Sequence, residues 1–355
     1  MQWSIFCRVV DNFGDIGVAW RLAADLGNRG EQVRLVVDDA SALAWMAPGG
    51  ARHVEIAAWA DGEAPNSDIW IETFGCGWPD DAAARLAAMA KPPLCIDVEH
   101  LSAEPFVARS HGLPLPRFNA AGEVLPIWFF YPGFDARTGG LLREPGLLER
   151  RRTFGDGRAW LAAQGIDRRD DERCVNLFCY DGAPIEAMLQ ALVATPTLLL
   201  LTPGPATLQV DTLLAQGLGR DRLRTVRLPL LSQVDFDALL WSVDLNLVRG
   251  EDSFVRAMWA GVPFVWQAYP QDDGAHAAKV DAFLSAFLAG APDEVAGPVR
   301  DLYARWNGTS QTDASTPLRL PDEPAWAGQC MRWRDRLAAL PDLTTSLLGF
   351  VASKR

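Results

Sequence analysis

Residues 243–267 read VDLNLVRGEDSFVRAMWAGVPFVWQ, and the spacing of their apolar positions changes twice. Val243, Leu245 and Leu247 alternate as on a half-buried strand, whereas Phe254, Ala257, Met258 and Gly261 recur at helical spacing. Residues 262–266 then begin another strand. Between the first strand and the helix, Arg249, Gly250, Glu251, Asp252 and Ser253 place a cation, a flexible glycine and capping side chains at the helix start. Such a turn leaves backbone N–H groups and the positive end of the helix dipole facing outward, the usual way an α/β protein holds a phosphate. A capped turn carrying surface charges accounts for the same residues, and the pattern alone leaves both readings open.

Outward from this stretch, the chain is an α/β protein. Its 355 residues exceed one typical core and predict two domains. With 49% hydrophobic and 22% charged residues the composition is that of an ordinary soluble globular protein. A net charge of -12 argues against a broad nucleic-acid surface but leaves room for a local basic pocket. The six cysteines form no C-x-x-C pair, and several lie in apolar runs, as reduced thiols do in a cytosolic protein. The four histidines His53, His100, His111 and His276 lack the spacing of a zinc site. No apolar run is long enough to span a bilayer, and no secretory leader is apparent.

The first half opens with a strand over 3–10, a polar turn over 11–17 and a helix over 18–26, closed by Gly27 and Gly30 before a strand over 32–37. A crossover of that length predicts parallel, right-handed strands. Further strands are expected at 53–57, 69–74 and 94–98, with an alanine-rich helix over 81–90. Each strand ends in residues able to bind or react: Asp38 and Asp39, residues 73–77, and residues 97–100. Open parallel sheets hold their ligands beyond such carboxyl ends. The turn at 11–17, DNFGDIG, presents two carboxylates where a dinucleotide turn has G-x-G-x-x-G, so a phosphate cofactor is disfavoured there and a cationic or proton-donating group suits better. Two aspartates at a helix start are also favourable on dipole grounds alone.

The middle of the chain is rich in proline, glycine and aromatic residues, and 125–134, LPIWFFYPGF, fits either a buried strand or a wall facing a partner. A glycine-flanked link follows, with a domain boundary near Arg152. The α/β alternation restarts with strands at 174–180, 197–202 and 223–228 and helices at 184–194, 206–216 and 232–241. A single amphipathic helix is expected over 331–351. The 14 tryptophans read as packing residues.

Two stretches, 11–17 (DNFGDIG) and 249–257 (RGEDSFVRA), together with their order and separation, resemble the elongation factor P arginine rhamnosyltransferases, and the likeness runs over nearly the whole chain. That resemblance implies a GT-B glycosyltransferase, with two Rossmann-like lobes facing each other across a cleft: 1–152 on the acceptor side, 153–330 binding the nucleotide sugar, and 331–355 returning to the first lobe. It implies inverting transfer of rhamnose from dTDP-β-L-rhamnose to an arginine of elongation factor P, which activates that factor to rescue ribosomes stalled at polyproline. It implies no cofactor and no metal, a cytoplasmic location, and neither nucleic acid nor membrane as a partner. By position in the motifs, Asp15 is the expected general base and Asp11 the residue that orients the arginine, with Asn12, Phe13 and Gly14 completing the acceptor turn.

On the donor side the resemblance assigns Phe178, Tyr180, Gln233 and Phe236 to the nucleoside, and Arg249, Gly250, Asp252 and Ser253 to the diphosphate. From the residues alone, Phe178 and Phe236 fit core positions as well. Glu251 matches an acid that the family needs for activity, with ribose contact, sugar positioning and support of the diphosphate loop all open. Where the family commonly has Gln this chain has Met258, and it is less polar around Val262; both changes are expected on the far side of the motif helix. Residues 269–273 also resemble the family, as a loop near the sugar or a charged surface turn. A nicotinamide-dependent oxidoreductase is disfavoured for want of a glycine-rich turn. Another nucleotide-sugar-dependent GT-B transferase and a non-catalytic two-lobed binding protein share the outline and stand as alternatives.

Overall fold

The computed structural model describes residues 1–11, 13–59, 66–79, 82, 85–86, 89, 91–118, 124–219, 221–271, 274–313 and 316–355. The chain divides into two compact units, Met1–Pro145 with Leu337–Arg355, and Gly146–Arg336. The division falls a few residues from the boundaries expected at 152 and 330. The helix Leu147–Thr153 buries Leu147, and Arg151 donates from Nε to the Ala260 carbonyl at 3.0 Å, so this segment is tied into the second unit.

The first unit is built on a seven-stranded sheet: β1 (Gln2–Cys7), β2 (Gln32–Val37), β3 (Val54–Ala58), β4 (Ile69–Thr73), β5 (Leu94–Val98), β6 (Pro114–Phe118) and β7 (Val124–Phe130). Their order is β3-β2-β1-β4-β5-β7-β6, with only β6 antiparallel to its neighbour. β1 and β4 are buried almost throughout, as parallel strands covered on both faces must be, which explains their nearly continuous apolar runs. The aromatic run at 125–134 is thereby settled in part: β7 is an interior strand, hydrogen-bonded to β5 on one side and to β6 on the other. β6 takes the sheet edge, where Pro114 and Pro116 are tolerated.

Helix α1 (Gly14–Asn28) starts four residues earlier than its apolar spacing suggested. Asp15 reaches back from the first turn, and its Oδ2 accepts from the amides of Val10 and Asp11 at 2.8 and 2.9 Å, so the polar turn is wound into the helix. The helix also runs past Gly27. A Cβ there would come within 2.3 Å of the Arg52 carbonyl, so glycine allows α1 to lie close to the chain entering β3. Most of the helix expected over 81–90 and the turn residue Asn12 lie outside the described residues, as do Asp272 and Asp273.

The second unit holds a five-stranded, wholly parallel sheet of β8 (Arg173–Leu177), β9 (Thr197–Leu201), β10 (Leu223–Arg227), β11 (Leu245–Arg249) and β12 (Phe264–Gln267), in the order β10-β9-β8-β11-β12. The crossovers include α2 (Gln233–Ser242) and α3 (Asp252–Ala260). Two later helices, Ala275–Phe287 and Asp293–Trp306, cover one side with aromatic residues. Phe254 stacks on Trp266 at 4.0 Å, and Phe283 meets Phe254, Phe264, Phe287 and Trp333 in the same cluster. Met258 is buried there, accepting from Trp333 Nε1 at 3.1 Å.

The expected single terminal helix is two, Glu323–Ala338 and Leu343–Lys354. Pro341 has no N–H to continue the first, and Asp342 caps the second by accepting from the Thr345 amide at 2.8 Å. The last helix is stitched into the first unit. Arg143 donates to the carbonyls of Ala338 and Leu340, Leu343 donates its amide to the Leu141 carbonyl, and Arg29 of α1 binds Asp342 at 2.7 Å. Leu343, Leu347 and Val351 enter the same core as Trp3, Ile5 and Leu22. Leu347 is 0% exposed, so Leu347→Ala should destabilise the protein by about 2–5 kcal/mol in chemical denaturation, through lost burial and the cavity left behind.

Candidate functional site

In an open parallel sheet, neighbouring crossovers leave a crevice where the strand order reverses. In the first unit this occurs between β1 and β4, and in the second between β8 and β11. Each of the two sequence motifs lies at one of these points. The 11–17 motif follows the carboxyl end of β1, and the 249–257 motif starts at the last residue of β11.

In the first unit, Asp15 is only 8% exposed, and the two amide hydrogen bonds already described hold its carboxylate in one orientation. Asp11 is half-buried and Gly14 sits against it: a Cβ on residue 14 would stand 2.9 Å from Asp11 Oδ2. The Gly14 amide donates to the Asp11 carbonyl at 2.7 Å, which closes the turn. Phe13 is exposed, and its ring meets Trp45 edge-on at 5.0 Å. The other strand-end residues brace this edge. Asp38 Oδ1 accepts from the Val9 amide at 2.9 Å, Thr73 Oγ1 donates to the Phe6 carbonyl at 3.0 Å, and Asp97 Oδ1 accepts from the Gly75 amide at 3.1 Å. Burial pushes the Cys7 and Cys76 thiols up to about 12 and about 11, which disfavours their thiolate forms.

In the second unit, Arg249 is 8% exposed, and its guanidinium lies 4.5 Å from the Phe178 ring and 4.6 Å from the Tyr180 ring. Two aromatic faces are a favourable setting for a poorly hydrated cation, worth about 0.5–2 kcal/mol each. Gly250 follows with φ +67°, a conformation that costs glycine little. Trp266 Nε1 donates to the Gly250 carbonyl at 2.8 Å, and the Ser253 hydroxyl donates to the Arg249 carbonyl, bracing the turn from both sides. Glu251 occupies the N-cap position without a capping side-chain bond, and the α3 ladder begins with the Val255 amide on the Glu251 carbonyl at 3.0 Å. The Asp252 and Ser253 amides precede that bond, at the positive end of the helix.

Phe178 and Phe236 are half-buried and meet edge-on at 5.9 Å, so neither is wholly a core residue. Gln233 turns its Nε2 toward Asp252 Oδ2, a long contact of 3.5 Å. The structure therefore brings Phe178, Tyr180, Gln233, Phe236, Arg249, Asp252 and Ser253 to one end of the sheet. It also adds a residue the motifs did not show. Gln267 pairs with Arg249 in the β11–β12 register, is buried, and accepts from the Tyr180 amide at 2.7 Å. Its signal was a polar residue at the end of an apolar strand. Tyr269, half-exposed, touches Tyr180 edge-on at 5.4 Å. Among the described residues no group of three or more His, Cys, Asp or Glu is placed to hold a metal ion, and no helix is long and apolar enough to cross a membrane.

A family profile described as "Elongation-Factor P (EF-P) rhamnosyltransferase EarP" matches residues 3–352. The protein-arginine rhamnosyltransferase of Pseudomonas aeruginosa is 40% identical, over 99% of each chain. A solved structure concerned with EarP-mediated arginine glycosylation of translation elongation factor EF-P superposes with a TM-score of 0.66 at 30% identity, covering 100% of this chain and 99% of the other. The glycosyltransferase VinC, solved with dTDP, shares the fold at a TM-score of 0.51 and 14% identity. Two α/β units, a motif at each switch point and a match along the whole length lead to one conclusion: this chain belongs to the EF-P rhamnosyltransferase family, glycosyltransferases of the GT-B fold.

Proposed function

We propose that the protein transfers rhamnose from dTDP-β-L-rhamnose to an arginine side chain of elongation factor P, with inversion at the sugar. The observation that carries this reading is the placement of both motifs at the switch points of their sheets, acids in one unit and a cation beside a helix start in the other. In the second unit the nucleoside lies among Phe178, Tyr180, Gln233 and Phe236. Its diphosphate meets Arg249 and the Gly250, Asp252 and Ser253 backbone, with Glu251 at its edge. As the sugar–oxygen bond breaks, its electron pair leaves with the diphosphate, and these fixed donors take up the charge without a metal.

The acceptor guanidinium has no free lone pair and an ordinary pKa above about 12, so a base must remove a proton as its nitrogen bonds to the sugar. Asp15 takes that proton. The amides on its Oδ2 hold it in place, and Asp11, beside Asn12, Phe13 and Gly14, orients the guanidinium. Action in the cytoplasm follows from the acceptor, a translation factor. All six cysteines are free, as suits a reducing compartment. A net charge of -12 suits neither nucleic acid nor an anionic membrane as a partner.

Incubation with dTDP-rhamnose and elongation factor P, read by intact mass, should add one deoxyhexose to the factor. No gain would leave a binding protein or a different transferase. Asp15→Asn should abolish transfer while calorimetry still detects dTDP-rhamnose; turnover at the wild-type rate removes the assigned role. Arg249→Ala should weaken dTDP affinity by about tenfold or more, the loss of one charge-assisted contact. In Gly14→Ala the new methyl displaces the Asp11 carboxylate, and kcat should fall by about 10- to 100-fold with donor KM unchanged.

A further inference from the structure

Beneath the donor residues, Arg256 (1% exposed) binds Asp237 (4% exposed) in a two-pronged ion pair, Nε to Oδ1 at 2.8 Å and Nη2 to Oδ2 at 2.5 Å. Asp237 lies one turn beyond Gln233 on α2, and Arg256 one turn beyond Asp252 on α3. The two helices are thus joined by two rungs, the Gln233–Asp252 contact at the ligand end and the ion pair one turn deeper. Along each helix the residues beside the deeper rung are apolar and buried: Ala238, Leu239 and Leu240 on α2, Phe254, Ala257 and Met258 on α3.

Burying a charged pair in such surroundings costs desolvation that its attraction barely repays, so stability is a poor reason for it; fixing the register of two elements is the best-attested use. Apolar packing is non-directional and would hold α2 against α3 without fixing their relative height. A forked guanidinium on a carboxylate fixes that height.

We infer that the Asp237–Arg256 pair sets the axial register of α2 against α3, and with it the distance between the nucleobase and diphosphate subsites of the donor pocket. The inference rests on the donor site proposed above. Gln233 and Phe236 ride on α2, whereas the amides of Asp252 and Ser253 ride on α3, so sliding one helix along the other separates the two halves of one ligand while leaving each half intact. Asp237 and Arg256 are therefore positioning residues, which act through the helices that carry the ligand contacts.

The test compares three probes on the full chain: dTDP, which spans both subsites, thymidine, which fills one, and inorganic pyrophosphate, which fills the other. In the double variant Asp237→Leu/Arg256→Met, which keeps the volume apolar, dTDP affinity should fall by about tenfold or more, while thymidine and pyrophosphate each change by less than about threefold. Unchanged dTDP affinity overturns the inference. So does a parallel loss of all three probes in a protein that still melts cooperatively, because the pair would then merely support each subsite. If the double variant does not melt cooperatively, Arg256→Lys decides in its place: it keeps the charge but loses the fork, and the same selective loss of dTDP is expected, with an unchanged dTDP affinity overturning the inference. A wild-type chain that binds none of the three removes the donor-site reading itself, a result distinct from any of these.

Discussion

Parallel strands joined by right-handed crossovers cannot be covered evenly. Where the strand order turns back, successive connections depart to opposite sides and leave the carboxyl ends of two strands facing open space. Both sheets of this protein have such a point, between β1 and β4 and between β8 and β11. What stands there differs in sign. In the first unit, carboxylates are held by backbone amides, and in the second a guanidinium is held by aromatic rings. The same architecture thus presents acids at one switch point and a cation at the other.

Each functional group is held by something that leaves its chemistry intact. Amides on one oxygen orient Asp15 without neutralising it. Aromatic faces pack against the Arg249 guanidinium without pairing its charge. The turn between β11 and α3 is braced through main-chain carbonyls, by Trp266 on Gly250 and Ser253 on Arg249.

Much of this was legible because parallel strands and their helices carry strong periodic signals. β2 and β5 fall on the residues their apolar runs marked, and the switch from alternation to helical spacing at 249–257 located the turn between β11 and α3. What could not be read depended partly on local hydrogen bonds that spacing does not show and partly on groups distant in the chain. Asp15 pulls Val10 and Asp11 into the start of α1, which lengthens the helix toward the strand. Pro341 breaks what apolar spacing presents as one terminal helix, although proline is itself a visible breaker. Gln267 gained meaning only when the β11–β12 register set it beside Arg249. The partnership of Asp237 with Arg256 likewise has no signature in spacing, since the two acquire each other only when their helices pack.

The helix Leu343–Lys354 closes a core begun by the first strand, with Leu347 and Val351 packed in the same cluster as Trp3 and Ile5. The intervening unit is one continuous stretch of chain, Gly146–Arg336. During synthesis on the ribosome, the second unit therefore emerges whole before the first has its last layer. The order of synthesis is thus the reverse of the order of completion: the unit that begins first closes its core last.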